Sequence, residues 1–223
     1  MSEKVDFEFL KKHLWGAADD LRGSLDPSEY RQPIMTVLFL KRLNDVFVEN
    51  AEKFKKEGKT QKEAYEQDFR HHAVGWFWIP PDARWEKLTG AKSNFGAKLN
   101  EICKLIEEKN EPLRGVLTIT KYNDKSKYPD TSLRDLIFRF DKPSIGNQNL
   151  VGEDIFGDAY EYLLAEFANE TKKKGGEFFT PRQVVKLLVK LTCPKPDMKI
   201  CDPTVGSGGM LILSYKHLPK EKA

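Results

Sequence analysis

The stretch MKICDPTVGSGGMLILSYKHL (198–218) decides how the end of this chain is read. Residues 198–201 are a short apolar run, bounded by Pro196 and Asp197 on one side and by Asp202 and Pro203 on the other. A glycine-rich turn follows, and Met210 to Leu218 suit a helix. A strand, a glycine loop and a helix in that order form the opening unit of a doubly wound α/β sheet. Residues without a Cβ permit a tight turn and a close approach of backbone to ligand, and the helix N-terminus offers free N–H groups. The expectation is a nucleotide-like ligand, with a plain tight turn as the alternative.

Three cofactor classes compete for such a loop. A phosphate-cradling loop needs G-x-x-x-x-G-K-[ST], but Gly209 is followed by Met210 and Leu211, so no lysine reaches a phosphate. A dinucleotide fingerprint needs glycine at 211 after Gly206 and Gly208, and Leu211 stands there. A ligand without phosphates remains, for which an acid at the strand end is an asset because it accepts from an ammonium group. Asp202 fits S-adenosylmethionine, whose methionine portion carries an amino group.

Just upstream lies GGEFFTPRQVVKLLVKL (175–191), an acidic, twin-aromatic turn ahead of an apolar helix pattern. Taken alone it reads as a helix start, with Thr180 as N-cap, Pro181 at the first helical position and Phe178 and Phe179 in a core. Everything before it is helical in pattern. Residues 7–22 place Phe7, Leu10, Leu14, Ala17, Ala18 and Leu21 on one face, with Gly23 as the stop. DPSE (26–29) offers a cap, and a long buried helix is expected over 27–56. TQKE (60–63) repeats the capping logic at the start of a polar helix toward His72. WFWIPPDARWEKL (76–88) gathers three tryptophans around two prolines that forbid a continuous helix, and reads as an aromatic plug. Helical spacing returns with Phe95, Leu99, Ile102, Leu105 and Ile106, then LRDLIFRF (133–140) and DIFGDAYEYLLAEFANET (154–171), separated by an exposed loop at 121–130 and a further polar loop at 141–149, where the domain boundary is placed.

Composition bounds the rest. No apolar run approaches the roughly 20 residues that span a bilayer, and MSEKVDFEF lacks the basic start of a signal peptide, so a cytoplasmic location is expected and no membrane partner. Cys103, Cys193 and Cys201 have no CxxC spacing and are read as small buried hydrophobes, and the four histidines form no ligand pattern, so no metal is expected. The net charge of +3 is unevenly spread. Residues 1–170 hold 26 Lys/Arg against 30 Asp/Glu, whereas 171–223 hold 11 against 4. That basic excess, which includes Lys172, Lys173 and Lys174, suits a nucleic-acid partner or simply a solvated loop.

GEFFTP (176–181) before a helix, followed by DPTVGSGGML (202–211), resembles the first two motifs of amino-group DNA methyltransferases of the gamma arrangement. With GDAYEYLLAEFA upstream, RWEKL and the N-terminal helices, the chain resembles the modification subunit of type I restriction-modification systems over essentially its whole length. The resemblance implies a mainly α fold in which an N-terminal helical domain (1–148, assembly and DNA clamping) precedes the start of a Rossmann-like methyltransferase domain (149–223). It implies S-adenosylmethionine as cofactor. Gly176, Glu177, Phe178, Phe179, Thr180 and Pro181 would form a turn against it, with Thr180 at the methionine carboxylate and the two Phe shaping the wall. Gly206, Ser207, Gly208 and Gly209 would line the other side, with Asp202 beside the amino group. Glu177 departs from the Gln that many relatives carry.

The implied chemistry is methyl transfer to the exocyclic N6 of a flipped-out adenine in duplex DNA. The implied partners are double-stranded DNA, a specificity subunit, a restriction subunit and a second modification subunit. The family's Asn or Asp followed by Pro-Pro and an aromatic is absent; the only Pro-Pro, at 80–81, follows Ile79 and precedes Asp82. The 223 residues are therefore expected to be an N-terminal fragment, inactive by itself and prone to self-association. A competing reading is a non-enzymatic helical module for assembly and DNA binding.

Overall fold

The computed structural model describes residues 4–23, 25–26, 29–152, 155–170, 180–206 and 208–219. The chain divides into two compact units, residues 1–163 and 164–223.

In the first unit α1 (Phe7–Leu21) starts where the Asp6 carboxylate accepts the Phe9 N–H, and it buries Leu10, Leu14, Ala17, Ala18 and Leu21. Gly23 follows in the left-handed region, with φ of 89°. The organising element is α2 (Arg31–Lys56), which packs against α1 and the later helices and is buried nearly all round, from Ile34 to Phe54. It begins four residues later than the 27–56 expected. Glu29 donates its backbone N–H to the Asp26 carbonyl, while its carboxylate is taken by Lys127. Pro33 lies in the first turn of α2, where amides have no intrahelical acceptor and a missing N–H costs nothing.

The polar groups that α2 buries are each spoken for. Thr36 Oγ1 accepts from the Tyr122 hydroxyl at 2.8 Å, Asn44 Oδ1 accepts from the Trp85 N–H at 3.0 Å, and Lys41 pairs with Asp45 at 2.7 Å. The turn to α3 (Gln61–Glu66) carries the expected capping box, with Thr60 and Glu63 bonded reciprocally. The polar helix breaks at Gln67, and α4 (Asp68–Ala73) completes it as a separate piece. His71 points inward and is fully buried, whereas His72 faces out.

The tryptophan segment runs without helix to Pro80, makes one 3-10 turn at Pro81–Ala83 and continues as α5 (Trp85–Thr89). All three indole N–H groups turn inward: Trp76 to the Leu43 carbonyl, Trp78 to the Tyr65 carbonyl, Trp85 to the Asp141 carboxylate. The polar handles of these rings are consumed by the fold, as a plug requires. Then come α6 (Phe95–Lys109) and α7 (Asp130–Arg139), joined by a segment that is largely exposed, as expected over 121–130, but anchored by two tyrosines. Tyr122 and Tyr128 are buried in it and meet edge to face at 5.1 Å. The unit closes with the first half of α8 (Ile155–Glu170), whose Ile155, Ala159 and Leu163 are buried.

The second unit holds the rest of α8, then α9 (Arg182–Thr192) and α10 (Gly209–His217), which pack on one another and bury Val185, Val189 and Ser214. The expected strand at 198–201 is not formed. A strand exists only by laddering to a neighbour, and the described residues contain two isolated bridges and no ladder. Met198 and Ile200 are accordingly exposed, at 56% and 49%. The fold is mainly helical, and a doubly wound sheet is not seen among the described residues. The cysteine reading needs correction too: Cys103 is buried, but Cys193 and Cys201 are exposed, Cys193 as the left-handed C-cap of α9 and Cys201 in the uncovered stretch before the loop. No described helix is long and apolar enough to cross a membrane.

Candidate cofactor site

The loop from Asp202 to Gly209 is shaped by its own side chains. Asp202 Oδ1 accepts from the Thr204 N–H at 3.0 Å and from the Thr204 hydroxyl at 3.2 Å, the local turn that an Asp followed two residues later by a polar donor tends to make. Thr204 was not singled out by motif reasoning, although D-x-T is the signal for such a turn. The Gly208 N–H then closes on the Val205 carbonyl at 2.7 Å. Gly206 and Gly208 have φ of 51° and 78°, a region that side chains with a Cβ enter only at a cost of about 1–2 kcal/mol. The two glycines are thus needed for the path of the backbone. Ile212 N–H bonds the Gly208 carbonyl at 2.9 Å, so α10 begins at the last turn of the loop and directs its free N-terminal amides toward it.

The result is a half-buried carboxylate, a backbone bend that only glycine makes cheaply, and a helix N-terminus within eight residues. A carboxylate favours an ammonium group and the amides favour an anionic one, so the set suits a zwitterionic ligand.

The other predicted jaw is described only at its end. Gly176, Glu177, Phe178 and Phe179 lie outside the described residues, as does Ser207, and so do Lys172, Lys173 and Lys174. Thr180 is exposed. Pro181 is the N-cap of α9 rather than its first helical residue, its carbonyl accepting from Val184 and Val185. The start expected from the sequence is therefore one residue early, and Pro181, whose ring fixes φ, presents the capping carbonyl. No hydrogen bond among the described residues joins Thr180 or Pro181 to the glycine loop. Lys186, Lys190, Lys195 and Lys199 are exposed around this region, which places part of the basic excess on the surface.

In the helical unit, a groove of about 820 Å³ lies between α6 and residues 114–123. One of its carboxylates is occupied by the fold: Glu107 accepts from the backbone N–H groups of Leu117 and Thr118 and from the Thr118 hydroxyl. Those bonds hold its pKa below the usual carboxylate range despite burial.

Comparison with known proteins is consistent along the chain. Residues 10–140 match the family model of the HsdM N-terminal domain, and residues 151–223 match that of N-6 DNA methylase. The type I restriction enzyme MjaIX methylase subunit of Methanocaldococcus jannaschii is 28% identical over 95% of this chain and 40% of its own length. The HindI methylase subunit of Haemophilus influenzae is 34% identical over 63% of this chain and 35% of its own. Among solved structures, the methyltransferase subunit of a type I restriction-modification system from Streptococcus thermophilus superposes with a TM-score of 0.69 at 25% identity, covering 95% of this chain and 50% of that one. The chain spans less than half the length of these curated relatives. With more than half of its residues matched by the first family model and the next segment by the second, the chain belongs to the HsdM family of type I restriction enzyme methylase subunits.

Proposed function

We propose that the protein is the N-terminal part of a site-specific DNA adenine-N6 methyltransferase subunit of a type I restriction-modification system, taking its methyl group from S-adenosylmethionine. The observation that carries this reading is the Asp202–Gly209 loop, in which a half-buried carboxylate and two left-handed glycines lead directly into α10. These residues fit the cofactor. Asp202 would hold its ammonium group, and the backbone at Gly206, Gly208 and Gly209 would pass beside it. When bound, S-adenosylmethionine supplies a methyl group on a sulfonium, activated without help from the protein.

Residues 1–148 serve as the assembly and DNA-clamping domain in this reading, and 149–223 as the start of the catalytic domain. The partners are duplex DNA, a specificity subunit, a restriction subunit and a second copy of the methylase subunit, in the cytoplasm. The acceptor of the adenine amine, an Asn or Asp before Pro-Pro and an aromatic, is not among these 223 residues, because Pro80 and Pro81 stand between Ile79 and Asp82 in the helical unit.

Calorimetry on the whole subunit tests the reading. Saturable binding of S-adenosylmethionine that disappears in Gly208→Leu, together with methyl transfer to duplex DNA, is the expected result. Absence of binding in every preparation would sink it in favour of a purely helical assembly module.

A further inference from the structure

Residues 144–150 look from their composition like a linker, yet one face of α2 holds their backbone at residues 145 and 147. Arg42 donates through one terminal nitrogen to the Ile145 carbonyl at 2.5 Å and through the other to Asn147 Oδ1. Asp45 Oδ2 accepts the Ile145 N–H at 2.7 Å while its other oxygen takes buried Lys41. Glu49 accepts the Asn147 N–H at 2.6 Å, and a Cβ on Gly146 would stand 2.7 Å from that same carboxylate. Residues 42, 45 and 49 fall on one helical stripe, so a single face reads three backbone groups of residues 145 and 147. The far edge is closed by the N-terminus: Lys4 bonds the Gln148 carbonyl, and Val5 exchanges backbone bonds with Asn149 and Val151.

Arg42 also reaches past this segment. Its guanidinium lies 5.7 Å from the Trp76 ring and 5.2 Å from Phe156, in the first turn of α8. Burial pulls its pKa down, and Glu49 and Asp45 oppose that shift.

We propose that residues 144–150 are a strap, and that Arg42 is a positioning residue which fastens the strap and the first turn of α8 to α2. It acts through α8, which precedes in the chain the residues proposed to hold the cofactor. A strap that opens leaves the subunit competent for only a fraction of the time, and apparent affinity falls by that fraction while turnover at saturation is spared.

The test uses the whole subunit and hydrogen exchange resolved by segment. In Arg42→Ala, exchange should rise about tenfold or more over 144–150 and 155–163, with α6 unchanged. Arg42→Lys keeps the charge but has no planar fork, and should restore less than half of the protection. If Arg42→Ala does not fold, Glu49→Ala opens the same strap from its other end and should raise exchange over 144–150. The kinetic arm rests on the methyltransferase reading: KM for S-adenosylmethionine should rise roughly three- to tenfold with kcat within about twofold. Unchanged exchange over the strap, a rise spread evenly over the helical unit, full rescue by lysine, or an open strap with unchanged KM would each overturn the proposal. A wild-type subunit that transfers no methyl group would count against the functional reading, and the exchange data would still decide the strap.

Discussion

Asp202 shapes its turn and, in the proposed reading, also meets an ammonium group, and a well-chosen substitution can separate the two. Asparagine at 202 keeps the oxygen that accepts from Thr204, and with it the turn, but removes the charge offered to an ammonium group. A hydrogen bond to a charged group is worth about 1.5–3 kcal/mol, so Asp202→Asn should weaken S-adenosylmethionine binding roughly ten- to a hundredfold in calorimetry, with the melting temperature unchanged. His71 offers a second test. Its Nε2–H donates to the Ala64 carbonyl at 2.9 Å, its ring stacks on Phe47 at 4.5 Å, and its buried Nδ1 has no partner among the described residues. Burial holds its pKa below the ordinary 6.5. The unfolded chain therefore takes up a proton that the folded one refuses, so His71 costs no stability above 6.5 and an increasing amount as pH falls toward the folded value. Thermal melts between about pH 7 and pH 5 should show the loss, and His71→Gln, which keeps an N–H for Ala64 without titrating in this range, should flatten the slope.

At the scale of elements, capping signals were legible in part: α2 and α9 start later than DPSE and Thr180 indicate, whereas TQKE marks its helix start where it stands. Thr60 and Glu63 form the box that TQKE announces, and Thr60→Ala should cost about 1 kcal/mol in urea unfolding. The stripes of α1 and α6 were equally legible, because a buried face repeats at helical spacing whatever it packs against. Contacts made far along the chain were not legible. Gly96 looks like a weak position in α6, where alanine should gain about 1 kcal/mol of propensity. In the structure an added Cβ would lie 1.8 Å from the Tyr122 carbonyl oxygen, and Tyr122 is held by Asn100 and Thr36. Gly96→Ala should therefore destabilise the helical unit by about 1–3 kcal/mol or more, read as a lower urea midpoint. The strand at 198–201 failed for the same reason: an apolar run marks a segment that suits a sheet, but the ladder depends on a neighbour that the run itself does not encode. Residues 141–149 form the polar loop that was expected, but which of them bond to α2 was not legible, because polar residues that bond to a helix look the same in sequence as polar residues that face water.

Over the whole molecule the two units differ in how well they cover their apolar surface. The helical unit buries its long helices, whereas α9 exposes Val184, Leu187, Leu188 and Leu191, the last at 72%. These positions fall at helical spacing and make a continuous apolar face, of the kind that drives association. The 223-residue chain should sediment as concentration-dependent oligomers, and Leu187→Lys combined with Leu191→Lys should shift it toward monomer. A clean monomer at high concentration without those changes would contradict this. The helical unit carries a different constraint, set by the stitch between its two ends. Lys4 bonds to Gln148, 144 residues further on, and Val5 bridges to Leu150. At about 5–20 residues per second, a ribosome takes roughly 7–30 s to make that stretch. Through that interval Lys4 and Val5 have no partner to close on, so this unit is completed late in its own synthesis.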